Sequence, residues 1–347
     1  MNSSLLRIRK DVSSLTIEEK TKFVNAILEL KKAPSKFYPD DETKNRYDDY
    51  VEIHHHSMMA GSDTNPNTDP NWYPGWAHLG PAFFSWHRQY LLEFENDLQT
   101  TSKDSSITIP YWDWTSEASF PFTNDFLGPD GEQSGSDAAG KVTEGPFAYD
   151  GPNNWTINFK DEPSDPPYLE RGFGRINNAK KLPTLEEVEI SMYITNFDSP
   201  PWKFRSRGFR RIVEINFHNL VHRWVNGTMV TMASPNDPVF WLHHSNVDRL
   251  WSIWQRNNQE VGWYIPAIGA PLGYNLYDML IFDHMDRDLG FTPLTPADVI
   301  NTVRLGYTYE SEMEFTLMEI QKEKTTIEID LTKRPFLPPF PLDKELK

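Results

Sequence analysis

Three histidines on two consecutive predicted helices are the feature that most constrains the fold of this chain. His218 and His222 lie four residues apart on a helix predicted over about 208–225, so both imidazoles project from one face of that helix. His244 follows on a helix predicted over 238–257, and the short connection returns this helix antiparallel to the previous one. The pattern predicts a helical hairpin with three imidazoles at its interface.

A second set of three histidines is predicted in the N-terminal half of the chain. His54 lies on a helix predicted from about 43 to 59. His87 lies near the start of a helix predicted from 83 to about 98, and His78 lies on the loop that enters it. Neutral imidazole binds copper, zinc, iron and nickel, and three nitrogen ligands leave open positions for dioxygen on a redox metal. A single helical pair is usually surface or core filler, but six buried histidines would be costly to satisfy by hydrogen bonds alone, which favours two metal sites.

Composition excludes several classes of site and partner. The 347 residues contain no cysteine, which excludes disulfides, thiolate zinc sites, iron–sulfur clusters and cysteine nucleophiles. The formal net charge of -16 at pH 7 argues against a nucleic-acid or anionic-membrane partner, and no apolar run reaches the roughly 18 residues of a transmembrane helix. The N-terminus lacks an apolar signal-peptide segment, which predicts a cytoplasmic protein or one exported without a recognisable signal peptide of its own. A metal-free interaction protein is the alternative in which the histidines carry no function.

The chain is predicted to consist of a long N-terminal domain, 1–310, and a C-terminal extension, 311–347. Within the first, residues 116–205 are rich in Gly, Pro, Asn and Asp and show no sustained period, which predicts irregular structure wrapping a helical core. In the extension, the runs 313–317 and 327–331 alternate apolar and polar residues and predict a β-hairpin, which a tail rich in proline and phenylalanine follows.

Two long motifs resemble those of the tyrosinase family of type-3 dicopper proteins, and the pattern is most similar to the small bacterial tyrosinases. The first motif, HLGPAFFSWHR, runs from His78 to Arg88, and the second, DPVFWLHHSNVDR, runs from Asp237 to Arg249. The earlier segment YDDYVEIH is similar to the family's first histidine helix and selects His54 from three adjacent histidines. Both long motifs are specific, and the resemblance covers most of the chain before the extension.

The resemblance implies two copper ions as the cofactor, each bound by three histidines. The implied ligands are His54, His78 and His87 at one copper and His218, His222 and His244 at the other. In the family the ligand of an adjacent histidine pair precedes an aspartate by four residues, here His244 before Asp248, so His243 is expected to be a non-ligand. Asp248 and Arg88 are expected to orient imidazoles. The other histidines expected to be non-ligands are His55, His56 and His284.

The resemblance also implies roles for residues around the coppers. Phe240 is expected to pack over the copper centre, and Asn219 and Arg223 are expected to steer the substrate and assist its deprotonation. Glu214 is similar to the family glutamate that holds a water near Asn219, although its spacing to His218 is shorter than in the bacterial pattern. The purely structural alternatives are a core aromatic, a capping asparagine and a surface arginine.

The implied fold is mainly α: an antiparallel four-helix bundle that houses a dinuclear copper site, with long irregular surface loops and a small C-terminal β-hairpin. The implied activity is copper-dependent ortho-hydroxylation of monophenols and oxidation of o-diphenols to o-quinones, with dioxygen as the co-substrate reduced to water. Two alternatives stay open, an o-aminophenol oxidase on the same scaffold and a haemocyanin-like oxygen-binding protein in which the extension blocks phenol access. The expected partners are small phenols and dioxygen, with a copper-delivery protein as a further partner and a homodimer left open.

Overall fold

Helices account for most of the regular structure. The computed structural model describes residues 6–59, 76–132, 138–203, 205–258, 264, 266, 268–282 and 290–318. The chain divides into two compact units, Met1–Glu310 and Ser311–Lys347. None of the helices in the described ranges is long and apolar enough to cross a membrane.

The elements of the first unit are numbered in chain order. The α-helices are α1 Ile17–Leu30, α2 Arg46–Met59, α3 Phe83–Ser102, α4 Leu185–Met192, α5 Phe209–Arg211, α6 Asn219–Val225 and α7 Val239–Asn257. The strands are β1 Arg7–Arg9, β2 Gly140–Lys141, β3 Glu170–Arg171 and β4 Tyr307–Tyr309. Strand β1 pairs in parallel with β4, and β2 pairs antiparallel with β3.

Helix α3 lies at the centre of the helical bundle. Phe94 stacks on Trp241 at a ring-centroid distance of 3.5 Å, whereas Arg88, earlier in α3, donates to Gln255, later in α7. Contacts that run in opposite directions along the two helices show that α3 and α7 are antiparallel. Helix α2 also packs on α3, where the ring of Tyr50 lies 5.2 Å from that of Phe94. The helical bundle predicted from the sequence is confirmed.

The fourth helix of the bundle contains a π-helical segment. Residues Ile212–His218 form a π-helix between α5 and α6, and the backbone N–H of Asn219 donates to the carbonyl of Glu214, five residues earlier. The sequence predicted one helix over about 208–225, and the position of that helix is correct. Because a π-segment has more residues per turn than an α-helix, it rotates the side chains that precede His218 relative to the predicted faces.

The irregular region 116–205 is fastened to the start of α7 by one buried arginine. Arg171 binds both carboxylate oxygens of Asp237, at 2.7 and 2.8 Å. Its remaining terminal nitrogen donates to the carbonyls of Leu127, Gly128 and Pro129. Since Arg171 and Asp237 are both fully buried, this region is part of the core as well as a surface wrap.

The C-terminal unit differs from its prediction. Residues 313–318 are helical, so the first strand of the expected hairpin does not form there. Leucine, methionine and glutamate are good helix formers, and their local preference outweighs an alternation only a few residues long. The second expected strand, 327–331, and the proline-rich tail lie outside the described residues.

Candidate metal centre

The first histidine triad joins two helices and a loop. His54 lies on α2, His87 lies in the first turns of α3, and His78 lies on the loop before α3. One ring nitrogen of each lies within 4.8 Å of the others, and all three side chains are buried. The rings of His78 and His87 are 4.9 Å apart. The structure therefore brings together the three residues predicted to form one site.

The second cluster contains the three predicted histidines and one more. One ring nitrogen of each of His218, His222, His243 and His244 lies within 4.8 Å of the others. The Nε2 atom of His244 lies 3.3 Å from Nε2 of His218 and 3.5 Å from Nε2 of His222. His243 stacks on His218 with the rings 5.1 Å apart. The two clusters adjoin, because the ring of His87 stacks on that of His244 at 4.2 Å.

Hydrogen bonds at Nδ1 establish which nitrogen can bind a metal in three of the rings. His54 donates from Nδ1 to the carbonyl of Met232 at 2.8 Å, and His222 donates to that of Met229 at 2.6 Å. His87 makes the equivalent bond to a carbonyl of its own helix at 2.8 Å. A carbonyl only accepts hydrogen bonds, so the proton is on Nδ1 and the Nε2 lone pair is left to bind a metal.

The buried Nε2 lone pairs of the two clusters are suited to binding a metal ion. Nε2 of His54 and Nε2 of His87 are buried without a hydrogen-bond partner in the described part of the chain. Burial lowers the pKa of His54 to about 3 and the pKa of His222 to about 4, so both rings are neutral at pH 7. Buried, unpaired lone pairs that face one another are costly, and a copper ion bound between neutral imidazoles removes that cost.

The predicted residues around the triads are close to them. The ring of Phe240 lies 4.1 Å from that of His244 and 4.9 Å from that of His54, so this side chain packs between the two clusters. The side-chain carbonyl of Asn219 accepts a hydrogen bond from Nδ1 of His218 at 2.9 Å. Arg223 donates to the backbone carbonyl of Asn178 at 2.7 Å, so a loop contact holds its guanidinium group.

Glu214 contacts an arginine of its own helix and a backbone amide of the loop that bears His78. One carboxylate oxygen accepts from Arg210 at 2.7 Å, and the other accepts from the backbone N–H of Leu79, next to His78. Burial raises the pKa of Glu214. Glu214 lies on the same helix as His218 and His222 of the second cluster. Its carboxylate therefore holds the loop that bears His78 of the first cluster.

Among the described residues, no imidazole bonds the carboxylate of Asp248, which was expected to orient one. Its carboxylate accepts hydrogen bonds from the guanidinium of Arg88 and from the hydroxyls of Tyr307 and Tyr309. Asp248 is one turn beyond His244, and these three donors fasten α7 to α3 and to β4. Its role is to anchor the helices on which the histidines lie.

Two contributors to the site were not predicted from the sequence. The backbone carbonyls of Met229 and Met232 accept hydrogen bonds from His222 and His54, respectively. Every residue type has such a carbonyl, so the sequence does not reveal which one is used. His55, expected to be a non-ligand, pairs through Nε2 with Asp161 at 2.9 Å. His56 is another expected non-ligand, and its Nδ1 lies 3.9 Å from Oε1 of Glu52. His284 lies outside the described residues.

Comparison with known proteins agrees with this geometry. Residues 44–257 match the common central domain of tyrosinase. The tyrosinase of Streptomyces glaucescens is 38% identical over 315 residues, which cover 88% of this chain and 100% of that protein. The chain belongs to the tyrosinase family. Grixazone synthase of Streptomyces griseus is 32% identical over 343 residues, again covering 88% of this chain and all of that protein.

A solved structure shares the fold. A variant of the polyphenol oxidase of Thermothelomyces thermophila superposes with a TM-score of 0.63 at 22% identity and covers 88% of both chains. Membership of the family confirms the predicted activity and cofactor: the protein is a type-3 copper oxidoreductase that oxidises phenolic substrates with dioxygen at a dicopper centre. The two histidine clusters are where such a centre fits.

Proposed function

We propose that each copper is bound by one of the two predicted triads. The ligands are His54, His78 and His87 at one copper and His218, His222 and His244 at the other. Two observations carry this proposal. Nε2 of His54 and Nε2 of His87 are buried with no hydrogen-bond partner in the described residues, and Nε2 of His244 lies within 3.5 Å of Nε2 of both His218 and His222. When bound, the copper pair supplies the two-electron redox chemistry with dioxygen.

Within the second cluster we propose His244, and not His243, as the ligand. Nε2 of His244 is the atom near Nε2 of both His218 and His222. The ring of His243 instead lies against the rings of His218 and Trp114, each at 5.1 Å, which is aromatic packing. Aromatic packing accounts for the burial of the His243 ring, although both of its nitrogens are buried with no hydrogen-bond partner in the described residues.

The chain contributes substrate orientation and proton transfer. Phe240 and the other buried aromatic rings exclude water from the space between the triads. A monophenol has a pKa near 10 and must lose its proton before its oxygen can bind a metal, so a residue at the site has to assist deprotonation. We assign this assistance to Asn219, whose side-chain oxygen contacts His218, and we assign substrate steering to Arg223.

For Glu214 two roles are open. The water-holding role beside Asn219 stays a prediction, whereas the contacts of its carboxylate with Arg210 and the Leu79 N–H support a positioning role toward His78. A hydrogen bond to the backbone N–H of Leu79 restrains the loop immediately after His78 and so limits the positions that this ligand can take.

Copper reconstitution tests the proposal. Apoprotein loaded with copper should bind two ions per chain and consume dioxygen in the presence of catechol and tyramine. Comparing o-aminophenol with catechol in the same assay distinguishes the alternative, an o-aminophenol oxidase. Protein that binds no copper, or binds two ions without oxidising any phenol, would contradict the proposal.

Three further expectations are kept as proposals. A copper-delivery protein as a partner and a homodimer rest on the resemblance, and are tested by loading rates and by light scattering. A cytoplasmic location, or export without a recognisable signal peptide, rests on the sequence of the chain and is tested by cell fractionation.

A further inference from the structure

One short segment contacts both histidine triads. The clamp segment, Met229–Met232, supplies its first carbonyl to Nδ1 of His222 and its last carbonyl to Nδ1 of His54. On the proposed assignment, these two histidines bind different copper ions. A displacement of this segment would therefore change the direction of one ligand at each copper.

The last residue of the clamp segment is held on both sides. The carbonyl of Met232 accepts from His54, and its backbone N–H donates to Oδ2 of Asp161 at 3.4 Å. The other oxygen of Asp161 pairs with Nε2 of His55 at 2.9 Å. His55 directly follows His54 on α2, so Met232 and Asp161 connect two adjacent histidines of the same helix.

The chain that enters the clamp segment is fixed by a separate contact. The hydroxyl of Thr228 accepts from the backbone N–H of Glu170 in β3 at 3.0 Å. Gly227 has a φ of +55°, and a Cβ at this position would lie 2.1 Å from the carbonyl oxygen of Glu170. Only glycine fits this backbone conformation and this approach. The two ends of the clamp segment are thus anchored independently.

We propose that Asp161 and His55 are positioning residues for the copper ligand His54, acting through the backbone of Met232, and that Thr228 has the corresponding role for His222. The direction of a ligating imidazole is set by the hydrogen bond at its other nitrogen, and loss of such an outer partner typically costs about 10- to 100-fold in metal affinity. In the described part of the chain, neither Asp161 nor Thr228 forms a hydrogen bond with a side chain proposed as a copper ligand, so each acts through the clamp segment.

The inference rests on the proposed ligands, and Cu(I) titration of apoprotein against a chelator of known affinity tests it. Asp161→Ala should weaken one of the two coppers about tenfold or more. Asp161→Asn retains an oxygen for the Met232 N–H and should restore the affinity to within about twofold. Glu162→Ala removes the same charge from the exposed neighbouring residue and is the matched control, expected to match wild type.

One-site backgrounds identify the affected copper. With His244→Ala, which leaves the first site, Asp161→Ala should lower the affinity of the remaining copper, and Thr228→Val should not. With His78→Ala, which leaves the second site, the two effects should be reversed. This reciprocal pattern separates positioning from a general loss of fold, which would weaken both sites in both backgrounds.

The outcomes are separable from those of the proposed function. If wild-type protein binds fewer than two coppers, the ligand proposal fails. If wild-type protein binds two and Asp161→Ala binds both as tightly, the positioning inference alone is wrong. If Asp161→Ala does not fold, His55→Gln and Asp161→Asn decide. Weaker copper binding at the first site in His55→Gln, together with wild-type affinity in Asp161→Asn, supports the inference. Wild-type affinity in both variants overturns it.

Discussion

The two histidine triads obtain their geometry from different kinds of local structure. In the second, His218 and His222 share one helix and His244 lies on the next, so helical spacing places two of the three rings. In the first, His54 and His87 lie on separate helices and the third ligand lies on a loop. One triad is built largely from local periodicity and the other from tertiary contacts.

The loop of the first triad depends on the helix of the second. Leu79, next to His78, has a φ of 60°, a conformation that is unfavourable for a leucine, and its N–H donates to Glu214. Glu214 is held in turn by Arg210, which also binds Asp198. The second site therefore helps to build the first, and we expect the first to be the more easily disrupted.

The largest expected effect is on the second triad itself. Replacing His244 by alanine removes the nitrogen that lies near both His218 and His222, so one copper and the oxidase activity should be lost. His243→Ala, the matched control, should keep two coppers per chain. Metal analysis and oxygen uptake with catechol measure both. The reverse result would show that the ligand of this pair is His243.

Removing Glu214 tests the dependence of the first triad on the second helix. Glu214→Ala leaves the Leu79 N–H and part of Arg210 without an acceptor, which should lower the free energy of unfolding by about 1–3 kcal/mol. Copper at the first site should weaken about 10- to 100-fold, and copper at the second should change little. Denaturant titration and Cu(I) competition provide the two measurements.

The matched variant is Glu214→Gln. Glutamine keeps an oxygen for the Leu79 N–H, so it should recover much of the copper affinity while losing the ion pair with Arg210. Equal weakening of both coppers in Glu214→Ala would contradict the asymmetry between the triads.

The contrast between the triads also explains what the sequence could predict. The spacing of His218, His222 and His244 predicted the second triad from helical geometry alone, and the structure brings these rings together. For the first triad, the choice of His54 among three adjacent histidines needed the family motif, because periodicity does not select a ring. In the structure His54 is 1% exposed, whereas His55 pairs with an aspartate at the edge of the site.

Other features left no signal in residue type. The π-helix at Ile212–His218 could not be predicted, because seven residues are too few to separate its period from that of an α-helix. Glu214 lies in that segment and accepts a hydrogen bond from the backbone N–H of Leu79. The acceptors at Met229 and Met232 are backbone carbonyls, which any residue could supply.

Acid should affect the two triads alike. Unfolded histidine binds a proton near pH 6.5, whereas burial lowers the pKa of His54 to about 3 and that of His222 to about 4. Between these values the unfolded apoprotein binds more protons than the folded one, so the free energy of unfolding falls as the pH falls from 6.5 toward 4. At pH 5 each of the two histidines should account for about 2 kcal/mol of this loss.

Urea titrations of apoprotein at pH 7 and pH 5 measure that loss. His54→Gln and His222→Gln should each show a smaller decrease than wild type, and the two decreases should be similar. A decrease confined to one variant would mean that the triads differ in electrostatics as well as in construction.

The smallest expected effect concerns Asn219, which contacts the second triad and is proposed to act on the substrate. Asn219→Ala should lower kcat/KM for tyramine about tenfold more than for the matching catechol, because the monophenol must still lose its proton. The same change removes the acceptor of His218 Nδ1, so Asn219→Asp, which keeps an oxygen there, is the control. If Asn219→Ala lowers kcat/KM equally for both substrates and Asn219→Asp restores it, Asn219 orients a ligand of the second triad and takes no part in deprotonation. If kcat/KM falls only for the monophenol, Asn219 assists deprotonation of the substrate. Substrate activation would then take place beside the second triad, whose geometry comes largely from helical spacing.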